Sequence, residues 1–438
     1  MTTRTLIRGG HVVPVDPAVE GGPGCDILIV DGRISEVGRG ISAEAAEVID
    51  AGGMIVAPGF VDSHRHTYQS LVRGVLPACT LTEFMSQILG TIVPRITPAD
   101  MDLGNYAGAL EALNSGITCM VDWSPSETPE HADGAVAGLK RSGIRAMYAN
   151  GMPGGGKWWY RSELTHPEDA RRIRAEHFAS DDSQLTMALA LRQPGNVVDD
   201  VAVADWALAR ELGIRVSVHV GMRSEGGGPS RPIETLHRLG LLGPDVTAIH
   251  CTTSTPEELR SLADTGTTVS LAPYVEAIMG HGEPPLAKLM GLGLFPALSV
   301  DTVTTSPGDM FTQMRSAYAA ARSQELPTDA SVPFAPTITH RDILRMATIE
   351  GARACGLEER VGSITPGKDA DLILVRTDGI AAMTCPDPEA LIVSYSERSD
   401  VDTVLVRGEL RKRHGALVDV DLRRLGDDLA TANARLMG

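Results

Sequence analysis

The chain has 438 residues, 43% of them hydrophobic and 22% charged, with 46 glycines, a balance that excludes disorder, collagen and a small disulfide scaffold. Length alone suggests about three domains at roughly 150 residues each, although a single α/β barrel takes about 250 residues by itself. With 39 basic against 56 acidic residues the formal charge is −17, and no run of Lys or Arg offers a face to nucleic acid or an anionic membrane, so neither is an expected partner. Aromatic residues make up 4%, which leaves the core to aliphatic side chains. The cysteines (Cys25, Cys79, Cys119, Cys251, Cys355 and Cys385) lie far apart without a C-x-x-C pair and read as reduced, buried thiols. The first residues contain no apolar stretch of signal-peptide length, and no window of about 18 apolar residues occurs, so a cytoplasmic protein is expected.

From Thr5 to Ile55 short β-like runs alternate with glycine, and Asp31-Gly32 is a hairpin turn signal. The texture is that of a small antiparallel unit, and it returns near the C-terminus in GSITPGKDADLILVRTD and DVDTVLVRGELRKR. Between these ends, β-branched runs at Gly59–Ser63, Thr118–Trp123, Arg145–Asn150, Leu185–Leu191, Arg215–Val220, Val246–His250, Thr268–Ala272 and Phe295–Val300 alternate with helical patterns. One helix opens at Thr255 with Glu258 in the capping-box position. Strand plus helix repeated eight times predicts a (β/α)8 TIM barrel over residues 58–361, with its active site at the C-terminal ends of the strands. Residues 1–57 and 362–415 are expected to form a composite β-sandwich, and 416–438 a C-terminal helical extension. No internal repeat or low-complexity tract is present.

The strand ends carry the chemistry. Strand one ends in His64-Arg65-His66, strand five in His219, strand six in His250 and strand eight in Asp301. On an extended chain the two imidazoles of His-x-His point to one face about 6.5–7 Å apart by backbone rise, which suits two ligands of one ion. A single histidine at a strand end is more often a hydrogen-bonded structural residue. Four histidines and an aspartate at the same end of four strands are hard to obtain by chance, and they read together as a metal site.

The stretches PGFVDSHRH, TYQSLVRG, HVG, IHC, SVD and GSITPGKDADLILV resemble the amidohydrolase superfamily, and within it the branch of cytosine and guanine deaminases and triazine hydrolases. The resemblance covers nearly the whole chain. It implies a metal-dependent hydrolase in which His64, His66, His219 and Asp301 hold one divalent transition metal, Zn2+ before Fe2+ or Mn2+. It also implies that His250 polarises the substrate, while Asp301 takes the proton from a water whose pKa the metal lowers toward about 7. At the strand-four end LTMALALRQPG offers Arg192 and no Lys to bridge two metals, which supports a mononuclear site.

Deaminases of this branch usually carry Glu three residues after the strand-five histidine, and here that position is Met222, whose thioether cannot transfer protons. Either purine and pyrimidine deamination is impaired, or the acid arrives from Glu225 or Glu276; Glu276, after strand seven, is the preferred candidate, with a solvated loop carboxylate as its bland alternative. His281 in the same loop is read as substrate-proximal, with simple exposure as the alternative, and Asp122 and Trp123 as residues at the pocket wall. The loop after strand three, GMPGGGKWWYR, nearly matches a P-loop, but Trp158 stands where Ser or Thr must bind Mg2+, which excludes nucleotide triphosphate binding there. Its aromatics Trp158, Trp159 and Tyr160 fit either a wall for a flat ring or a subunit contact. Gln69 and Arg73 occupy the family's substrate-side positions, with a helix-surface ion pair as the alternative for Arg73.

The sequence thus points to hydrolysis of a C–N or similar bond in a small cyclic or heteroaromatic substrate, by a protein expected to be a homodimer or homotetramer. A lyase or isomerase using the same metal is the second reading. A non-catalytic homologue is the third, and the intact ligand set argues against it.

Overall fold

The computed structural model describes residues 2–42, 44, 46–154, 156–223 and 231–438. The terminal segments build one nine-stranded sheet. Its N-terminal strands are Arg4–Val12, Gly22–Val30, Arg33–Gly38, Glu47–Asp50 and Met54–Pro58; the C-terminal ones are Leu372–Arg376, Val401–Val406, Glu409–Arg413 and Ala416–Leu417. The seam joining the two halves is the antiparallel pairing of Leu372–Arg376 with Met54–Pro58, Leu374 opposite Val56. Asp31 and Gly32 both adopt positive φ, 49° and 78°, as a two-residue type I′ turn requires, and they pair Val30 with Arg33.

The sheet departs from the expected antiparallel unit at its first strand. Arg4–Val12 runs parallel to Glu47–Asp50 over Thr5–Arg8 and then parallel to Met54–Pro58 over His11–Val12. The change of partner falls at Gly9 and Gly10, where the register with the neighbouring strand also slips. A Cβ at Gly10 would stand 2.6 Å from Val56 Cγ2, so only glycine lets the strand cross there. Ile7, Ile27, Ile29, Val56, Leu372 and Leu405 meet in the aliphatic core of this sheet, joining residues from both chain ends.

The second sheet has eight strands in sequential order: β1 (Phe60–Arg65), β2 (Ile117–Ser124), β3 (Arg145–Asn150), β4 (Leu185–Leu191), β5 (Arg215–Val220), β6 (Val246–His250), β7 (Thr268–Leu271) and β8 (Ala297–Leu298). Adjacent strands from β3 to β8 pair in parallel, as helical crossovers dictate. The last strand has only two residues because the chain closes the ring just beyond it. Asp301 N donates to His64 O and His66 N donates to Asp301 O, both at 2.9 Å, a parallel bridge from Asp301 to Arg65. The crossover helices start and stop where side-chain chemistry directs them. Helix Pro256–Thr265 has the Thr255/Glu258 capping box, buries Leu259 and Leu262, and ends at Gly266 with φ of 70°.

By contact density the chain divides into two compact units: Met1–Asp62 with Leu110–Cys119 and Asp309–Val420, and Ser63–Ala109 with Met120–Gly308 and Asp421–Gly438. The border expected at 361/362 lies inside the first unit. The C-terminal extension is helix Leu422–Met437, and within the second unit Asn433 Nδ2 donates to Leu71 O at 2.8 Å while Arg435 pairs with Asp100. The helix therefore braces the short turn Thr67–Val72 that follows His66. All six cysteines are free thiols. Among the described residues no helix is long and apolar enough to cross a membrane.

Candidate active site

Every residue of β1 is buried, and its alternation sends His64 and His66 to the same side. His66 Nδ1 lies 3.0 Å from the Trp123 carbonyl oxygen, which can only accept, so Nδ1 carries the proton and Nε2 presents its lone pair to the site. From β5, His219 Nε2 reaches to 3.1 Å from His64 Nε2. Asp301 Oδ1 is 3.3 Å from His64 Nε2 and 3.5 Å from His66 Nε2. His250, the last residue of β6, and Asp301, three residues beyond β8, both sit at left-handed backbone positions, with φ of 76° and 63°. Such conformations cost of order 1–3 kcal/mol, and here they turn each side chain out of its strand toward the site.

Those atoms suit a cation. The nitrogens of His64, His66 and His219 all lie within 4.8 Å of one another, as do ligand atoms of His64, His250 and Asp301. Burial depresses the imidazoles of His64, His66 and His219, His66 to about 3 and His219 well below its ordinary value, which favours the neutral form that can coordinate a cation. Burial works against the Asp301 carboxylate, yet its hydrogen bond with His64 and the surrounding imidazoles hold it below the usual carboxylate range. Three neutral imidazoles and one carboxylate are a donor set for a divalent transition metal.

Across the site His250 presents Nε2 3.8 Å from Asp301 Oδ2. Its Nδ1 donates to Glu276 Oε1 at 3.0 Å, and the same oxygen accepts from Ala272 N at 2.9 Å. Burial alone would lower His250, but the Glu276 hydrogen bond and the charge of Asp301 raise it. Glu276 is fully buried and does not line the cavity. The sequence suggested a carboxylate delivering protons directly; the fold instead sets Glu276 behind His250, where it fixes that ring's tautomer and charge. Glu225, the alternative donor, lies outside the described residues.

A cavity of about 660 Å3 opens over this cluster. His66, His219, Asp301, His250 and His281 line its floor and side, and Trp123, Trp159 and Met222 also face it. His281 is 2% exposed, lies edge-to-face with His250 at 5.1 Å, has no hydrogen-bond partner on either ring nitrogen, and is depressed to about 4 by burial. Trp123 packs on His219 and His66, with ring centroids 4.9 and 5.3 Å away, and on Trp159 at 6.3 Å. Of the expected aromatics only Trp159 reaches the cavity: Trp158 lies outside its lining, and Tyr160 is 81% exposed. Gln69 is buried between Tyr68 and Thr302, to which it is hydrogen-bonded, and Arg73 is exposed; neither lines the cavity. Asp122 accepts from Thr67 N at 3.3 Å, burial pushes it up to about 7, and it too is outside the lining.

The sequence reading missed the cavity's apolar side. Leu81, Phe84, Met85 and Leu89 line it from the helical segment Leu81–Ile92, which continues as a π-helix from Met85. The i, i+3, i+4, i+8 spacing of these residues was the available signal. Asp205, which forms a buried ion pair with Arg192, was also missed, since nothing local marks a helix aspartate as buried.

The sequence profile of the amidohydrolase family matches residues 55–411. Similar curated proteins include the 5-methylthioadenosine/S-adenosylhomocysteine deaminase of Symbiobacterium thermophilum, 29% identical over 419 residues that cover 93% of each chain. Another is the 5'-deoxyadenosine deaminase of Methanothermobacter thermautotrophicus, 27% identical over 94% of this chain and 95% of the relative. Among solved structures, a zinc-bound adenosine deaminase from Xanthomonas campestris shares the fold with a TM-score of 0.87 at 24% identity, over 99% of both chains. A zinc-complexed atrazine chlorohydrolase from Arthrobacter aurescens does so with a TM-score of 0.86 at 22% identity, over 98% of this chain and 100% of the other. With its barrel, its cluster of histidines and aspartate and this match, the chain belongs to the amidohydrolase family and is a metal-dependent hydrolase of carbon–nitrogen bonds other than peptide bonds.

Proposed function

We propose that the protein hydrolyses the exocyclic C–N bond of an amino-substituted purine nucleoside, releasing ammonia, with one Zn2+ held by His64, His66, His219 and Asp301. The carrying observation is a cavity lined by Asp301, His250, His66 and His219 together with Trp123 and Trp159, whose rings lie 6.3 Å apart and tilted by 36°. Indole faces suit a flat heteroaromatic ring, and a cavity of about 660 Å3 leaves room for a ribose beyond it. The deaminase names of the relatives similar over nine-tenths of both chains support the same reading.

The ion, when bound, supplies the Lewis acidity that brings the pKa of a coordinated water toward about 7. Hydrolysis would join a water oxygen to the ring carbon and break the exocyclic C–N bond, the electron pair of which would leave with nitrogen. Asp301 accepts a proton from the water and passes it to the departing nitrogen, which leaves as ammonia. His250, held by Glu276 through Nδ1, donates from Nε2 to the ring atom that gains charge. Met222 contributes apolar surface only, and Asp301 and His250 are the groups assigned the proton traffic.

The test is ammonia release by zinc-loaded protein from adenosine, 5'-deoxyadenosine, 5'-methylthioadenosine and S-adenosylhomocysteine, beside cytosine, guanine and aminotriazines, with product mass read in 18O-water. Turnover of an adenine nucleoside with one 18O incorporated, and none of cytosine or guanine, is expected. Folded, metal-loaded protein that leaves every adenine nucleoside intact overturns the substrate class, and product without 18O overturns hydrolysis.

A further inference from the structure

At the end of β4, Arg192 is completely buried in its side chain and paired with Asp205, itself 2% exposed, at 3.1 Å. Its fork does not end there. Nη1 donates to the Trp158 carbonyl at 2.9 Å and Nη2 to the Leu164 carbonyl at 2.7 Å, so one guanidinium ties both ends of the turn that carries Trp159. The Trp158 ring lies 5.4 Å from the guanidinium carbon. The other oxygen of Asp205 accepts from His166 N at 2.6 Å, and His166 Nε2 lies 3.0 Å from Asn150 Oδ1 at the end of β3. A continuous buried polar chain thus runs from β3 through the loop to helix Asp199–Glu211 and back to β4. Trp159, at its centre, faces the cavity, whereas Asp205 does not.

We propose that Arg192 and Asp205 are positioning residues that hold the Trp158–Leu164 turn so that Trp159 forms the substrate-facing wall, and that they thereby set substrate affinity. The assignment rests on reading this cavity as the substrate site. The local energetics favour it. A buried ion pair is weak as a stabiliser but strongly directional, and a planar fork with carbonyls and a carboxylate on three sides fixes orientation in a way a point charge does not. Arg192 also lines the cavity, so the positioning role is separated from direct contact by acting on Asp205, which does not. Misplacing a substrate-contacting ring by about 1 Å is enough to change turnover parameters by an order of magnitude or more.

The test uses Asp205→Asn, which keeps the shape and removes the charge, with Trp159→Ala as the reporter of the wall. Lys157 and Arg161, both exposed on the turn, are built-in trypsin sites. In full-length, metal-loaded Asp205→Asn, nicking after Lys157 or Arg161 should accelerate about tenfold, read by mass spectrometry, with metal content unchanged. KM for the hydrolysed substrate should rise about tenfold with kcat within about threefold. Trp159→Ala should raise KM alike without faster nicking, and adding Asp205→Asn to it should change KM by less than about twofold. If Asp205→Asn fails to fold, Arg192→Met combined with Asp205→Leu removes the pair without leaving a lone buried charge and is read the same way. Wild-type nicking and KM in a folded variant overturn the proposal, as do effects that track metal loss. Nicking needs no substrate, so it decides the strut even if every nucleoside proves inert and the functional reading fails.

Discussion

Glu276→Gln separates a carboxylate that tunes His250 from one that transfers protons. Gln keeps an acceptor oxygen for both His250 Nδ1, at 3.0 Å, and Ala272 N, at 2.9 Å, so the ring stays in place and only the charge is lost. A hydrogen bond to a charged partner contributes about 1.5–3 kcal/mol against about 0.5–1.5 for a neutral one. The difference, about 1–1.5 kcal/mol, is withdrawn from the protonated state of His250 and converts to roughly tenfold in kcat. The pH dependence carries a sign. Glu276 and Asp301 raise His250 against the effect of burial, and the acid form is lost as pH rises through that raised value. With the carboxylate replaced by an amide the raising is reduced, so the basic limb of kcat moves to lower pH while the acidic limb stays. The introduced NH2 falls where Glu276 Oε2 has no hydrogen-bond partner, which should also cost about 1–3 kcal/mol of stability in a thermal melt. kcat against pH, metal content and melting temperature on the same preparation check this. An unaltered kcat and basic limb in folded, metal-loaded Gln variant would refute the reasoning, and a loss of about 10²–10⁴-fold would restore Glu276 as a direct proton carrier.

Other substitutions test the site and the fold. Replacing His64 and His66 together with Ala should empty the site, with one metal per chain in the wild type by elemental analysis; two metals, or full occupancy of the double variant, would contradict the mononuclear set. Asp301→Asn should lower kcat about 10²–10⁴-fold with the fold intact, because Asn tolerates the left-handed φ of 63° and the barrel-closing bonds there are backbone ones; near-normal kcat would remove Asp301 from the mechanism. Gly32→Ala should lower the stability of the terminal sheet by more than about 1 kcal/mol in denaturant titration, since φ is 78° and the new Cβ would meet Arg407 O at 2.4 Å; a neutral result would contradict the turn geometry. Thr255→Ala should cost about 1 kcal/mol by removing the capping box, measured in the same way.

What was legible in the sequence is what depends on neighbours along the chain. Alternation in β1 put His64 and His66 on one face, two positive-φ residues at Asp31-Gly32 made a hairpin, and Thr255 with Glu258 capped a helix, each from a few consecutive residues. The order of strands and helices then specified the barrel, and the barrel brought the strand ends, with their histidines and Asp301, together. Contacts between loops of different strands obey no such period. Glu276 sits behind His250 rather than in the cavity because the α-helical turn after β7 folds its carboxylate back onto Ala272 N. Trp159 faces the cavity and its neighbour Trp158 does not, because Arg192 fixes the turn between them from another strand. Gln69 is buried and Arg73 exposed only four residues later, since the short turn after His66 rotates one inward to Thr302 and ends before the other. The parallel pairing of Arg4–Val12 likewise required strands that sequence proximity does not favour, at a crossing that only Gly10 permits. Local chemistry thus determined which groups the barrel carries, and the tertiary packing of its loops decided which of them reach the substrate, because facing across a cavity is a property of distant segments rather than of spacing.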